Sequence, residues 1–171
     1  MSGARPPLLP AALDVFASTP ATLRALLTPL PEQAISAPGD EGWSAKDVVA
    51  HLVSLYGPTL VDRVRPILER DEPQIPNADE AAILEASGLR HKALAELLDQ
   101  FDRQRAEAVA WLRGLSDEQL RRAGAHSAAG RVTVADLIHH KAWHDLLHIE
   151  QVCRMIAGPL DERRGAMRVF R

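Results

Sequence analysis

Apolar residues recur at intervals of three and four along most of the chain, which is the spacing of one face of an α-helix. Leu23, Leu26, Leu27 and Leu30 form a first stripe. Val48, Leu52, Leu55 and Thr59 form a second, and Leu94, Leu97, Leu98, Phe101, Val109 and Leu112 a third. A fourth stripe comprises Val134, Leu137, Ile138, Ile149, Val152, Met155 and Ile156. The pattern predicts helices near 10–29, 44–70, 79–113 and 133–157. Strand-like alternation is absent. The architecture expected is an all-α, up-and-down four-helix bundle.

Local signals sharpen these boundaries. Thr19-Pro20 reads as an N-cap followed by proline at the first helical position, where a missing N–H costs nothing. Ser44 and Thr133 are N-caps with Asp47 and Asp136 three residues on, an acidic form of the capping box. Ser116 begins a short capped helix, and Gly114 suits the residue after a helix end. Pro58 and Pro66 should kink or break the second helix, and Ser87-Gly88 is a weak point in the third. Segments 36–42, 71–77 and 124–130 read as loops. The domain plan is an N-terminal arm over 1–10, a bundle over 11–157 and a polar basic tail over 158–171 without assigned structure.

Composition agrees with helices. The 171 residues include 27 Ala and 23 Leu, and aromatic residues are only 4 %. A net charge of −3 argues against nucleic-acid binding. No apolar run approaches the length of a membrane span, and the start of the chain lacks the apolar stretch of a signal peptide. A cytoplasmic protein with a small-molecule substrate is expected. The single cysteine, Cys153, excludes an internal disulfide and reads as a small buried residue turned away from the histidines below.

The last helix carries the chemistry. Lys141, His144, Asp145 and His148 fall within its core-facing arc and interrupt the apolar stripe at mid-height. Buried polar groups cost several kcal/mol unless paired, so this band requires partners. His144 and His148, four residues apart, project side by side, as two imidazoles gripping one cation would. His51 stands on the inner edge of the second helix. Three imidazoles leave positions open on a metal, the catalytic arrangement.

The segment from Gly42 to Leu52, Gly-Trp-Ser-Ala-Lys-Asp-Val-Val-Ala-His-Leu, resembles the W-S-x-x-[DE]-hydrophobic-hydrophobic-x-H-L signature of the DinB/YfiT-like superfamily. His144–Gln151 is similar to that family's H-[DE]-x-x-H-x-x-Q segment. The resemblance runs from about Thr19 to Met155 and implies a four-helix bundle holding a divalent metal, zinc or nickel, on His51, His144 and His148. It also implies thiol-dependent transfer with a low-molecular-weight thiol cofactor as one activity, and a homodimer as the assembly. Lys141 departs from what a metal would favour, unless its amine turns away or pairs with Asp145.

Other residues have two readings. Asp47 caps a helix or orients an imidazole. Asp145 orients His144, pairs with Lys141 or faces water. Gln151 faces the site or satisfies polar groups near it. His140 is placed at the rim, and His91, His126 and His139 are read as exposed. Trp143 and Leu147 lie opposite the core arc and imply a second packing surface. The functions in competition are metal-dependent thiol transfer or conjugation, which the family resemblance favours, metal-assisted hydrolysis and a non-catalytic metal- or ligand-binding module. A general base near the open position would separate them, and Asp145 and Glu150 are the acids considered, Glu150 pointing outward.

Overall fold

The computed structural model describes residues 10–39 and 42–170. Helix α1 spans Pro10–Leu27, and the short α2 spans Glu32–Ser36. The second bundle segment is α3 (Ala45–Ser54), a π-helical turn (Gly57–Val61) and α4 (Asp62–Glu69). The third region divides into α5 (Glu80–Ser87), a 3-10 turn at Leu89–His91 and α6 (Leu94–Arg113). After α7 (Asp117–Arg121) comes the long α8 (Val134–Glu162). The four bundle helices are present as expected, but α1 and α3 each pack against both α6 and α8. The first and second bundle helices therefore stand diagonally, not side by side as in the expected up-and-down order.

The expected caps form. Ser44 and Asp47 bond each other's backbone N–H at 2.9 and 3.1 Å, and Thr133 with Asp136 does the same at 2.8 and 3.1 Å. Gly88 ends α5 in the left-handed region, at φ 65°, which only glycine adopts without strain. Gly114 is itself the cap residue of α6 and keeps right-handed dihedrals.

Three sequence expectations change. First, Thr19-Pro20 does not start a helix: Pro20 lies inside α1. Proline at this position leaves the Phe16 carbonyl without its helical donor. The Arg105 guanidinium donates to that carbonyl at 2.7 Å, so the group is satisfied. Second, α8 continues through Pro159 to Glu162, and Gly165–Val169 forms a 3-10 turn. The helix therefore enters the segment read as a structureless tail. Third, the fold is not purely helical. β1 (Gln74–Ile75) pairs in parallel with β2 (Ala123–His126), which pairs antiparallel with β3 (Gly130–Thr133). Strands this short show no period of two, so the loops predicted at 71–77 and 124–130 concealed them.

Two apolar clusters are separated by a polar layer. One contains Leu23, Leu27, Val48, Leu52, Leu97, Phe101 and Val152. The other contains Phe16, Leu60, Ile67, Ala108, Leu112, Val134 and Ile138. Each bundle segment changes cluster partway along, and buried Thr19, His51, Arg105 and Asp145 lie near these changes. The polar band predicted for the last helix is thus one side of a layer crossing the whole bundle.

In that layer Asp145 accepts from Arg105 and, at 2.8 Å, from the Thr19 hydroxyl. The guanidinium lies over the Phe16 ring, 3.4 Å from its centroid, and within 4.7 Å of that of Phe101. Removing one partner of a buried pair leaves the other charge uncompensated. Asp145→Ala should lower the unfolding free energy by about 3–5 kcal/mol in urea denaturation, and a loss below 1 kcal/mol would contradict the tie. At Gly124 a Cβ would stand 2.9 Å from the Pro73 carbonyl oxygen and 3.0 Å from Ile75. Gly124→Ala should cost about 1–3 kcal/mol by the same measurement.

Candidate metal centre

Ser44 caps α3 so that His51 enters the bundle on the face of Val48 and Leu52, and its side chain is 3 % exposed. His144 and His148 come from adjacent turns of α8. Their Nε2 atoms are 3.2 Å apart. One ring nitrogen from each of His51, His144 and His148 lies within 4.8 Å of the others. The sequence-predicted trio is therefore brought together by the fold.

A fourth donor joins them. Glu80, the first residue of α5, places Oε2 3.4 Å from Nε2 of His51 and 3.4 Å from Nε2 of His144. Nothing in the sequence around Glu80 marks it as a site residue. Asp79 caps α5 by accepting from Ala82 N at 3.0 Å, and an acid just after such a cap reads as compensation of the helix dipole. Only the packing of α5 on α3 turns Glu80 toward the histidines.

The donor set suits a divalent cation. A tetrahedral shell with ligands at about 2.0–2.1 Å sets its donor atoms about 3.3–3.4 Å apart. Nε2 of His144 and Nε2 of His148 stand 3.2 Å apart, close to that spacing, and a ring nitrogen of His51 lies within 4.8 Å of both. Gln151 fixes the third histidine: its side-chain oxygen lies 2.8 Å from Nδ1 of His148. An amide oxygen only accepts, so Nδ1 carries the proton and Nε2 turns a lone pair to the cluster. Nδ1 of His51 and of His144 are buried without hydrogen-bond partners among the described residues. Imidazole nitrogens suit zinc and nickel alike.

The remaining candidates separate cleanly. Asp47 is held in the α3 capping box and lies 3.7 Å from Arg90, so it caps and does not orient a ring. Asp145 is occupied by Arg105 and Thr19, so it neither pairs with Lys141 nor faces water. Glu150 points outward to Arg154 at 2.5 Å. His140 is an exposed rim residue, with its ring 6.1 Å from that of His144. His126 is buried on β2, where its Nδ1 accepts from Ala128 and Ala129 at 3.2 Å, and His139 is half-buried. Cys153 is exposed, contrary to expectation, because it lies on the outward face of α8 next to fully buried Val152. Trp143 and Leu147 are exposed as the helical period requires, with Leu146 beside them.

Burial, then the charge of His148, pushes His51 down to about 3. Burial also lowers His148. The hydrogen bond to His144 holds Glu80 down to about 2. In the unfolded chain an imidazole takes a proton below about pH 6.5. Folded His51 stays neutral over most of that range, so the unfolded state binds more protons. Stability of the metal-free protein should therefore fall as pH drops from about 6.5 toward 3, and Glu80 adds to the loss below about 4.5. Melting temperature against pH checks this: the slope should flatten in His51→Gln, and a flat wild-type profile would contradict it.

Comparison with known proteins agrees with this architecture. A model of the DinB superfamily matches residues 16–152. A search of curated proteins gives no match. Among solved structures, the chain is similar to YfiT from Bacillus subtilis, described as a probable metal-dependent hydrolase with an unusual four-helix bundle topology. The TM-score is 0.74 at 24 % identity, covering 91 % of this chain and 86 % of that one. Among the described residues no helix is long and apolar enough to cross a membrane. With the family match spanning most of its length and the bundle carrying the three histidines, the chain belongs to the DinB superfamily.

Proposed function

We propose that this protein is a metal-dependent hydrolase in which His51, His144 and His148 hold a divalent cation, zinc or nickel, and Glu80 is the general base. The observation that carries the reading is the Glu80 carboxylate, 3.4 Å from two of the three imidazoles. A bound divalent cation supplies Lewis acidity, which polarises a carbonyl and lowers the pKa of an adjoining water. Glu80 is ionised at neutral pH, the form in which a carboxylate accepts a proton. Gln151 holds the His148 ring by its Nδ1–H. Trp43, whose ring centroid is 4.9 Å from that of His51, packs on that ligand.

The base separates hydrolysis from thiol transfer. A thiol on a metal is deprotonated outright and needs no carboxylate beside it. An attacking water must give up a proton, and the Glu80 carboxylate stands where it would be taken. The structure of YfiT from Bacillus subtilis, with its description as a probable metal-dependent hydrolase, supports the same choice. A second reading follows from the same distances. If Glu80 ligates the metal itself, three histidines and one carboxylate close the shell and the bundle is a metal-stabilised module.

Glu80→Gln distinguishes the two. With Glu80 as base, the zinc-loaded variant keeps wild-type zinc affinity, while hydrolysis of activated esters such as 4-nitrophenyl acetate falls about 10²–10⁴-fold. Loss of zinc affinity in this variant would identify a ligand instead. His51→Ala, His144→Ala and His148→Ala should each abolish stoichiometric zinc binding, measured by elemental analysis and competitive titration. His140→Ala should leave it unchanged. Gln151→Leu should weaken zinc binding about 10–100-fold, because it frees the His148 ring. Wild-type zinc affinity in His144→Ala would overturn the ligand assignment.

A further inference from the structure

Arg63 on α4 and Lys141 on α8 are each 7 % exposed. Such residues are almost never buried this deeply unless paired with an anion. Yet among the described residues neither has a hydrogen-bonded or ion-paired carboxylate, and Nε of Arg63 is buried without any partner. Asp145 does not serve Lys141, because Arg105 and Thr19 occupy it.

Both cations lie within electrostatic reach of one acid, Glu80. They also feel each other, and Arg63 reaches His126 and His140. α4 packs on α8, so two cationic side chains from these helices act on the Glu80 side of the histidine cluster. Lys141 also feels Asp145, but that carboxylate is matched by Arg105, so Arg63 and Lys141 are left with Glu80 between them, and a bound divalent ion would widen the excess. An arrangement made only for stability would pair these charges or replace them with apolar groups.

We propose that Arg63 and Lys141 bind an oxyanion, a carboxylate or phosphate carried by a small-molecule substrate, beside His51, His144 and His148. The guanidinium fork matches two oxygens of one oxyanion, and the ammonium adds a point charge. Anchored there, the substrate presents its neutral, cleavable part to Glu80 and the histidines. The assignment deepens the hydrolase reading and rests on it for the bond broken, but the anion site itself requires no metal.

The test uses metal-free and zinc-loaded full-length protein at pH 7, below the value near 8 at which buried Lys141 loses its proton. Succinate, inorganic phosphate and neutral succinamide are titrated by calorimetry against wild type, Arg63→Gln and Lys141→Met, and melting temperatures are recorded. One anion should bind metal-free wild type and raise its melting temperature, and succinamide should not. Tighter binding of succinate assigns a carboxylate, and tighter binding of phosphate a phosphate. Each variant should bind about 10–100-fold more weakly. Without anion, each should melt no lower than wild type, because an unpaired buried charge has been removed.

Failure of both anions to bind wild type overturns the proposal. So does unchanged anion affinity in the two variants. Zinc binding without anion binding sinks this inference alone, whereas anion binding in a protein that takes no zinc sinks only the hydrolase reading.

Discussion

The buried contact of Arg105 with Asp145 fixes the rest of this bundle. It joins α6 to α8, and through Thr19 and the Phe16 carbonyl it includes α1. Charges held in an apolar interior tolerate little misplacement, since each lost bond leaves a desolvated group. Asp145 is the neighbour of His144 in sequence. A slip of α8 by one residue would turn its faces by about 100°, drawing Asp145 from Arg105 and His144 from His51 together. The tie therefore sets the register of the histidines without touching them.

Proline contributes to this tie in a way no local rule announces. Pro20 removes one N–H from the middle of α1, and the carbonyl so released is the one Arg105 binds. From the sequence the same proline reads as a helix start, because proline is well tolerated there and costly inside. The inference failed because the compensating donor comes from a residue 85 positions away along the chain. Long-range partners also explain Glu80. Its place after a capping aspartate is ordinary, and only the packing of α5 on α3 gives it chemistry. The strands stayed hidden because four residues cannot display a period.

What was legible rests on periodicity combined with residue type. A helix that buries Val134, Ile138 and Val152 on one face must also bury Lys141, His144 and Asp145 on it. The sequence therefore required a polar layer, and three of its members were identified as imidazoles able to meet. The capping boxes at Ser44 and Thr133 were legible because their partners lie within one turn. Exposure was harder to read: His126 is covered by strand pairing on both sides of β2, and Cys153 falls on the outward face of α8.

The two halves of the polar layer differ in electrostatic balance. Around Asp145 the charges cancel, and the guanidinium is further covered by two phenyl rings. Around Glu80 they do not, for Arg63 and Lys141 share one carboxylate. The first half makes the second possible. If Arg105 were absent, Asp145 would be free to neutralise Lys141, and the unbalanced charge would disappear. By engaging Asp145, Arg105 leaves Lys141 oriented electrostatically toward Glu80, whose charge it feels more strongly than that of Asp145. A group of this kind raises the free energy of the empty protein and lowers it when an anion arrives. Structural order in one half of the layer thus maintains the electrostatic tension of the other.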